Sequence, residues 1–119
     1  MNTQQAFDIM VAHLRQQKRP SRSDSSGCLY RGPDGLKCAV GALIPDELYS
    51  ERMENQNLYN LMREKGKFPG LSELFADVDI QVLSDFQDTH DFNEPARWEQ
   101  RFKLCAEEFG LNYTAPQGV

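Results

Sequence analysis

Long apolar runs are missing from this chain. No stretch approaches the roughly 18 consecutive apolar residues that cross a bilayer as a helix, so no membrane-spanning helix is expected. Basic residues are few, 13 against 18 acidic ones, and the net charge is −5. That balance argues against a direct nucleic-acid binder, which needs a broad basic surface. No Walker spacing and no dinucleotide fingerprint occurs. Cysteines number three, Cys28, Cys38 and Cys105, and no C-x2-C or C-x4-C knuckle is formed, the spacing that marks a zinc site. The odd count, and a polar start (Met1-Asn2-Thr3-Gln4-Gln5) unlike a secretory signal, point to reduced thiols and a cytoplasmic protein.

What remains is enough for one modest core. The chain has 119 residues, 39% apolar and 10% aromatic, which predicts a single domain over 1–119 with 114–119 as a loose tail. Residues 3–18 carry Phe7, Met10, Val11 and Leu14 at helical spacing, with Asn2 and Gln5 as a capping box and Arg19-Pro20 as the stop. Cys28-Leu29-Tyr30-Arg31 and Leu36-Lys37-Cys38 flank Gly32-Pro33-Asp34-Gly35, which predicts a small β-hairpin over about 28–38, a type I turn and Gly35 in the left-handed region. In that register Cys28 and Cys38 do not face each other, which weighs against a disulfide. Ala39 to Ile44 reads as a buried helical turn. A helix start follows at Pro45-Asp46-Glu47. Further helices are predicted over 55–65, with Gly66 beyond the end, over 71–75 as one turn, and over 79–91 with Ile80, Leu83 and Phe86 inward. The last helix is capped by Asn93 and buries Trp98, Phe102, Cys105 and Phe109 before Gly110 stops it. Leu111 and Tyr113 are placed to fold back. The fold class is mainly α, about five helices with one small hairpin.

The block from Cys28 through Tyr30-Arg31-Gly32, Lys37-Cys38-Ala39 and Ile44-Pro45-Asp46 to Tyr49 resembles a family of small uncharacterised proteins from bacteria and their phages. Members often add a histidine-aspartate pair and a tryptophan-bearing helix, here His90-Asp91 and Trp98. The resemblance covers Cys28 to Leu111. It implies a common fold and an origin among mobile elements, and brings no activity with it.

The residues offer three candidate chemical sites. Cys38, beside Lys37 and at the start of a helical turn, has features that favour a thiolate; with His90 as base and Asp91 as orienter it would make a small cysteine-dependent hydrolase. Against this, Asp91 leaves the helix 100° away from His90, and His90 falls on the Leu83/Phe86 side, as a packed histidine does. Zinc at Cys28, Cys38, Cys105 and a histidine has the ligand types without the spacing. The Tyr30–Lys37 turn, with Arg31 and Lys37, has the donors to hold an anion, yet a solvated hairpin rim is the simpler expectation. No catalytic residue, metal or cofactor is therefore assigned.

Charge placement says more. Residues 1–45 carry six bases against Asp8, Asp24 and Asp34, net +3, which leaves −8 for the rest. Between Lys67 and Arg97 stand seven acids, Glu73, Asp77, Asp79, Asp85, Asp88, Asp91 and Glu94, and no Lys or Arg. Such runs are often plain solvated faces; as an interface they would steer a basic partner. The resulting expectation is a monomeric, non-enzymatic immunity protein that neutralises a bacterial nuclease toxin, an RNase, through Glu73, Asp77, Asp85, Asp88 and Asp91. The alternative is a phage-encoded anti-defence inhibitor using the same acidic surface.

Overall fold

The first helix follows its sequence signals closely. In the computed structural model, which describes residues 1–23, 27–54, 56–63 and 68–116, α1 spans Thr3–Gln17. Asn2 Oδ1 accepts the Gln5 backbone N–H at 2.8 Å, and Gln5 Oε1 accepts that of Asn2 at 2.8 Å. Both halves of the capping box are therefore made, satisfying two otherwise orphaned amides. Lys18 stops the helix in the left-handed region (φ 64°), with its N–H bonded to the Leu14 carbonyl.

Four more α-helices follow among the described residues: α2 (Leu58–Arg63), α3 (Pro69–Leu74), α4 (Ile80–Phe92) and α5 (Trp98–Phe109). The expected start and end of α2 at Asn55 and Lys65, and Gly66, lie outside the described residues. α3 begins two residues before the expected Leu71, because proline suits the first turn of a helix. Asp79 caps α4 by accepting the Gln81 N–H. Asn93 does not cap α5 as expected. It ends α4, donating from Nδ2 to the Asp88 carbonyl, and its own carbonyl accepts the Trp98 indole N–H at 3.1 Å. The chain then makes one tight turn, Pro95–Arg97, before α5, which Gly110 ends at φ 67°.

The hairpin expected over 28–38 is not formed. Its arms meet in a single antiparallel bridge, Arg31↔Lys37. The turn is not type I, because Asp34 itself takes a positive φ of 59°, as Gly35 does at 76°. Past Cys38 the chain bends into Ala39–Val40, and the outward N–H and C=O of Lys37 are taken by α1. Gln17 Oε1 accepts the Lys37 N–H, and Gln17 Nε2 and His13 Nε2 both reach the Lys37 carbonyl. The short antiparallel pairing that does exist lies upstream, Arg22 with Cys28 and Ser23 with Gly27. A tight turn at Gly41–Leu43 agrees with the buried turn expected there. No helix starts at Pro45; its carbonyl closes only a turn with Leu48 and Tyr49.

Phe86 of α4 is the hub of the core. It meets Phe7 of α1 edge-on (centroids 5.4 Å, 85°) and stacks on Phe102 of α5 (5.4 Å, 6°), both favourable aromatic geometries. Met10, Leu14, Leu83 and Trp98 belong to the same buried cluster, whereas Ile80 and Phe109 are only partly buried. Leu111 and Tyr113 fold back onto this core. Asn112 exchanges two bonds with Gln4, and Arg15 binds the Thr114 carbonyl at 2.7 Å, so the start of the expected tail is held; residues 117–119 lie outside the description. The Cα radius of gyration is 13.8 Å, close to the roughly 13.5 Å of a compact chain this long.

Candidate functional site

Two features of α4 coincide. Its residues advance about 100° each, so Ser84, Gln87, Asp88 and Asp91 form one stripe, and that stripe walls a cavity of about 260 Å³. Tyr30, Gln56 and Tyr59 form the facing wall. Asp85, Asp88 and Phe92 form the adjoining, outward stripe. Asp88 belongs to both.

His90 and Asp91 anchor this region. His90 is fully buried. Its Nε2 accepts the Ser21 backbone N–H at 2.8 Å, and its Nδ1 faces Asp91 Oδ1 at 2.7 Å. An acceptor at Nε2 requires the proton on Nδ1, so Nδ1–H donates to the carboxylate. The expectation that Asp91 points away from His90 is thus corrected. Nδ1 lies two bonds from Cβ, close to the backbone, where the carboxylate of the next residue can bend to it. The His90 ring also stacks on Trp98 at 6.0 Å.

This arrangement decides what the cluster can do. Cys28 Sγ, a His90 nitrogen and an Asp91 oxygen lie within 4.8 Å of one another, ligand types that could hold a metal. Binding through Nδ1 would move its proton to Nε2, directly against the Ser21 N–H. Two donors would then face each other inside the fold, which works against a metal there. The same bond occupies the Nε2 lone pair that a general base would use. Cys28 is half-buried; burial and then a hydrogen bond to Asp91 push its thiol pKa up.

Cys38 sits elsewhere in the chemistry than its sequence position suggested. It is 1% exposed, and its Sγ accepts the Gly41 N–H at 3.2 Å. Burial pushes its pKa up to about 12, against the lowering effect of that bond. Cys105 is buried on α5, and burial, followed by a hydrogen bond to Asp85, raises its pKa too. All three thiols are therefore held protonated, the opposite of an activated nucleophile.

The anion-holding capacity of the 30–37 turn is used internally. The Tyr30 and Arg31 amides donate to the two oxygens of Glu54 at 2.9 and 3.1 Å, and Tyr49 Oη donates to the same carboxylate at 2.7 Å. The Arg31 guanidinium pairs with Asp46, binds the Ile44 carbonyl and lies 4.4 Å over the Tyr49 ring. Arg15 likewise pairs with Glu99. Two of the six bases of residues 1–45 are thus spent on internal ion pairs.

The five acids singled out from sequence do not form one cluster. Asp85, Asp88 and Asp91 share α4. Burial, then the charges of Asp85 and Asp91, push the Asp88 carboxyl pKa up, with Arg101 opposing. Among the described ion pairs none includes Asp85 or Asp88. Glu73 is exposed on α3. Asp77 lies beyond the other end of α4, bridged to Asn2 at the start of α1. Twelve residues of helical rise separate Asp79 from Asp91, roughly 18 Å. Phe92, 80% exposed beside Asp88, was not singled out from sequence. Its apolar neighbours all turn inward, so only its place on the outward stripe could have flagged it. No protein family, curated protein or solved structure matches the chain.

Proposed function

We propose that this chain is a non-enzymatic inhibitor of the immunity type, which binds the basic cleft of a bacterial nuclease toxin, an RNase, through α4 and blocks it. The observation that carries this reading is the placement of Asp85, Asp88 and Asp91 on one helix, where partial burial and then the charges of Asp85 and Asp91 push the Asp88 carboxyl up. Like charges held together weaken the fold and gain when a cationic surface approaches. Asp85 and Asp88 make the contact, and Asp91, held by His90, lines the rim beside them. Glu73 and Asp77 act at longer range, steering the encounter. The engaged state of His90 and the three thiols agrees with an inhibitor rather than a hydrolase, and the mobile-element origin that the resemblance implies would suit a toxin–antitoxin context.

The test is capture of the partner on wild-type protein, release, and assay of its RNase activity. The released protein is expected to cleave RNA, to be silenced by added wild-type chain, and to escape an Asp85→Lys/Asp88→Lys variant that melts near the wild-type temperature. A captured partner without nuclease activity, or equal inhibition by the double variant, contradicts the proposal.

A further inference from the structure

The cavity between α4 and the Gln56–Tyr59 segment is small and chemically one-sided. Its volume, about 260 Å³, falls below the roughly 300–1,000 Å³ of small-molecule sites and suits one long side chain. Asp88 and Asp91 supply two carboxylates at one wall, Gln56 and Gln87 supply carboxamides, and among the described residues no Lys or Arg lines it. Tyr59, 44% exposed, and Leu58 also line it. Phe92 projects into solvent one helical turn from Asp88.

We infer that this cavity takes an arginine side chain of the protein partner, with Phe92 as the apolar anchor beside it. The inference rests on the inhibitor reading and adds the contact that would give it specificity. A cationic occupant fits, because the charged side chains among the described lining residues are all acidic and the neighbouring Arg22 guanidinium is engaged on the Asp91 carbonyl. A planar guanidinium satisfies two carboxylates and carboxamide oxygens at once and stacks on a tyrosine ring, and its aliphatic stem covers Leu58. A lysine ammonium is a more strongly hydrated point charge that matches less of this wall. A protein rather than a free cation is indicated by Phe92: an exposed aromatic flanked by charge is the pattern of an interface anchor, and it contributes nothing to the binding of a small ion.

The test needs no partner. Isotope-labelled protein is titrated with N-acetyl-arginine methylamide, with the uncharged citrulline analogue and with spermidine, and backbone amide shifts are followed. Arginine is expected to shift Tyr30, Tyr59, Gln87 and Asp88 in a saturable manner, with citrulline at least tenfold weaker; Asp88→Asn should weaken the arginine effect severalfold while leaving the rest of the spectrum in place. Equal response to citrulline, shifts centred elsewhere, or no saturable shift overturns the arginine assignment. Spermidine binding as well as arginine also overturns it, in favour of a free polyamine. Loss of RNase inhibition in the double charge reversal together with silence in this titration would refute the cavity contact and leave the inhibitor reading standing.

Discussion

Removing the His90 ring would strand two partners at once. The Ser21 N–H would lose its acceptor and Asp91 its donor, and a void would open beside Trp98. Each unsatisfied buried group costs about 1–3 kcal/mol and the void adds to it. His90→Ala should therefore lower stability by about 2–4 kcal/mol in urea denaturation, and an unchanged midpoint would show that the ring is not holding this corner. Asp88 behaves in the opposite sense. Its carboxyl pKa is raised in the fold, so the folded state binds the proton more tightly than the unfolded one, and the charged form is the disfavoured one. Asp88→Asn is expected to be as stable as wild type or slightly more stable at neutral pH. That advantage should vanish as the pH falls below the ordinary carboxylate range, about 3.9, as thermal melts across pH would reveal. A carboxylate kept at some expense in stability is what a binding role would explain.

Within elements, what could be read from sequence depended on the range of the interactions. The stripes of α1, α4 and α5 were legible because burial repeats every three or four residues, and the Asn2/Gln5 box because both partners sit three residues apart. Glu54 and Gln17 were not legible. Each replaces a missing strand partner by bonding backbone groups 20 or more residues away, and such contacts leave no periodic trace. The short hairpin has the same cause, since beyond the one bridge between them the arms are pinned by α1 and Glu54. Gly41 belongs to this system: a Cβ there would collide with the Tyr30 carbonyl. Gly41→Ala should destabilise by roughly 2 kcal/mol or more, because backbone atoms rather than a flexible side chain must move; a urea midpoint shift measures it. At the other end, hydrogen bonds from Arg15 pull the Glu99 pKa down. That stabilisation is present above the ordinary glutamate value, about 4.3, and lost as the pH falls through the lowered one. With the two side chains 29% and 37% exposed, screening limits the pair to about 1 kcal/mol. Glu99→Gln should show this deficit at neutral pH, and the gap to wild type should close on acidification.

At the scale of the molecule, the −5 total conceals a redistribution. Two of the six bases of residues 1–45, Arg15 and Arg31, are turned inward onto Glu99, Asp46 and backbone carbonyls, while α4 carries half-buried Asp85 and exposed Asp88 with exposed Phe92 beside them. The acidic run was visible in sequence. Its division into an α4 face and a distant Glu73/Asp77 pair was not, because that depends on where α3 and α4 join against the start of α1. The most direct test is the association rate of the captured partner with wild-type and Asp88→Lys protein across ionic strength. If the α4 face docks a basic surface, the wild-type rate falls steeply as salt rises, and the variant associates at least tenfold more slowly at low salt with a shallower dependence. Rates that are indifferent to salt, or identical for the two proteins, would contradict the assignment of α4 as the docking face.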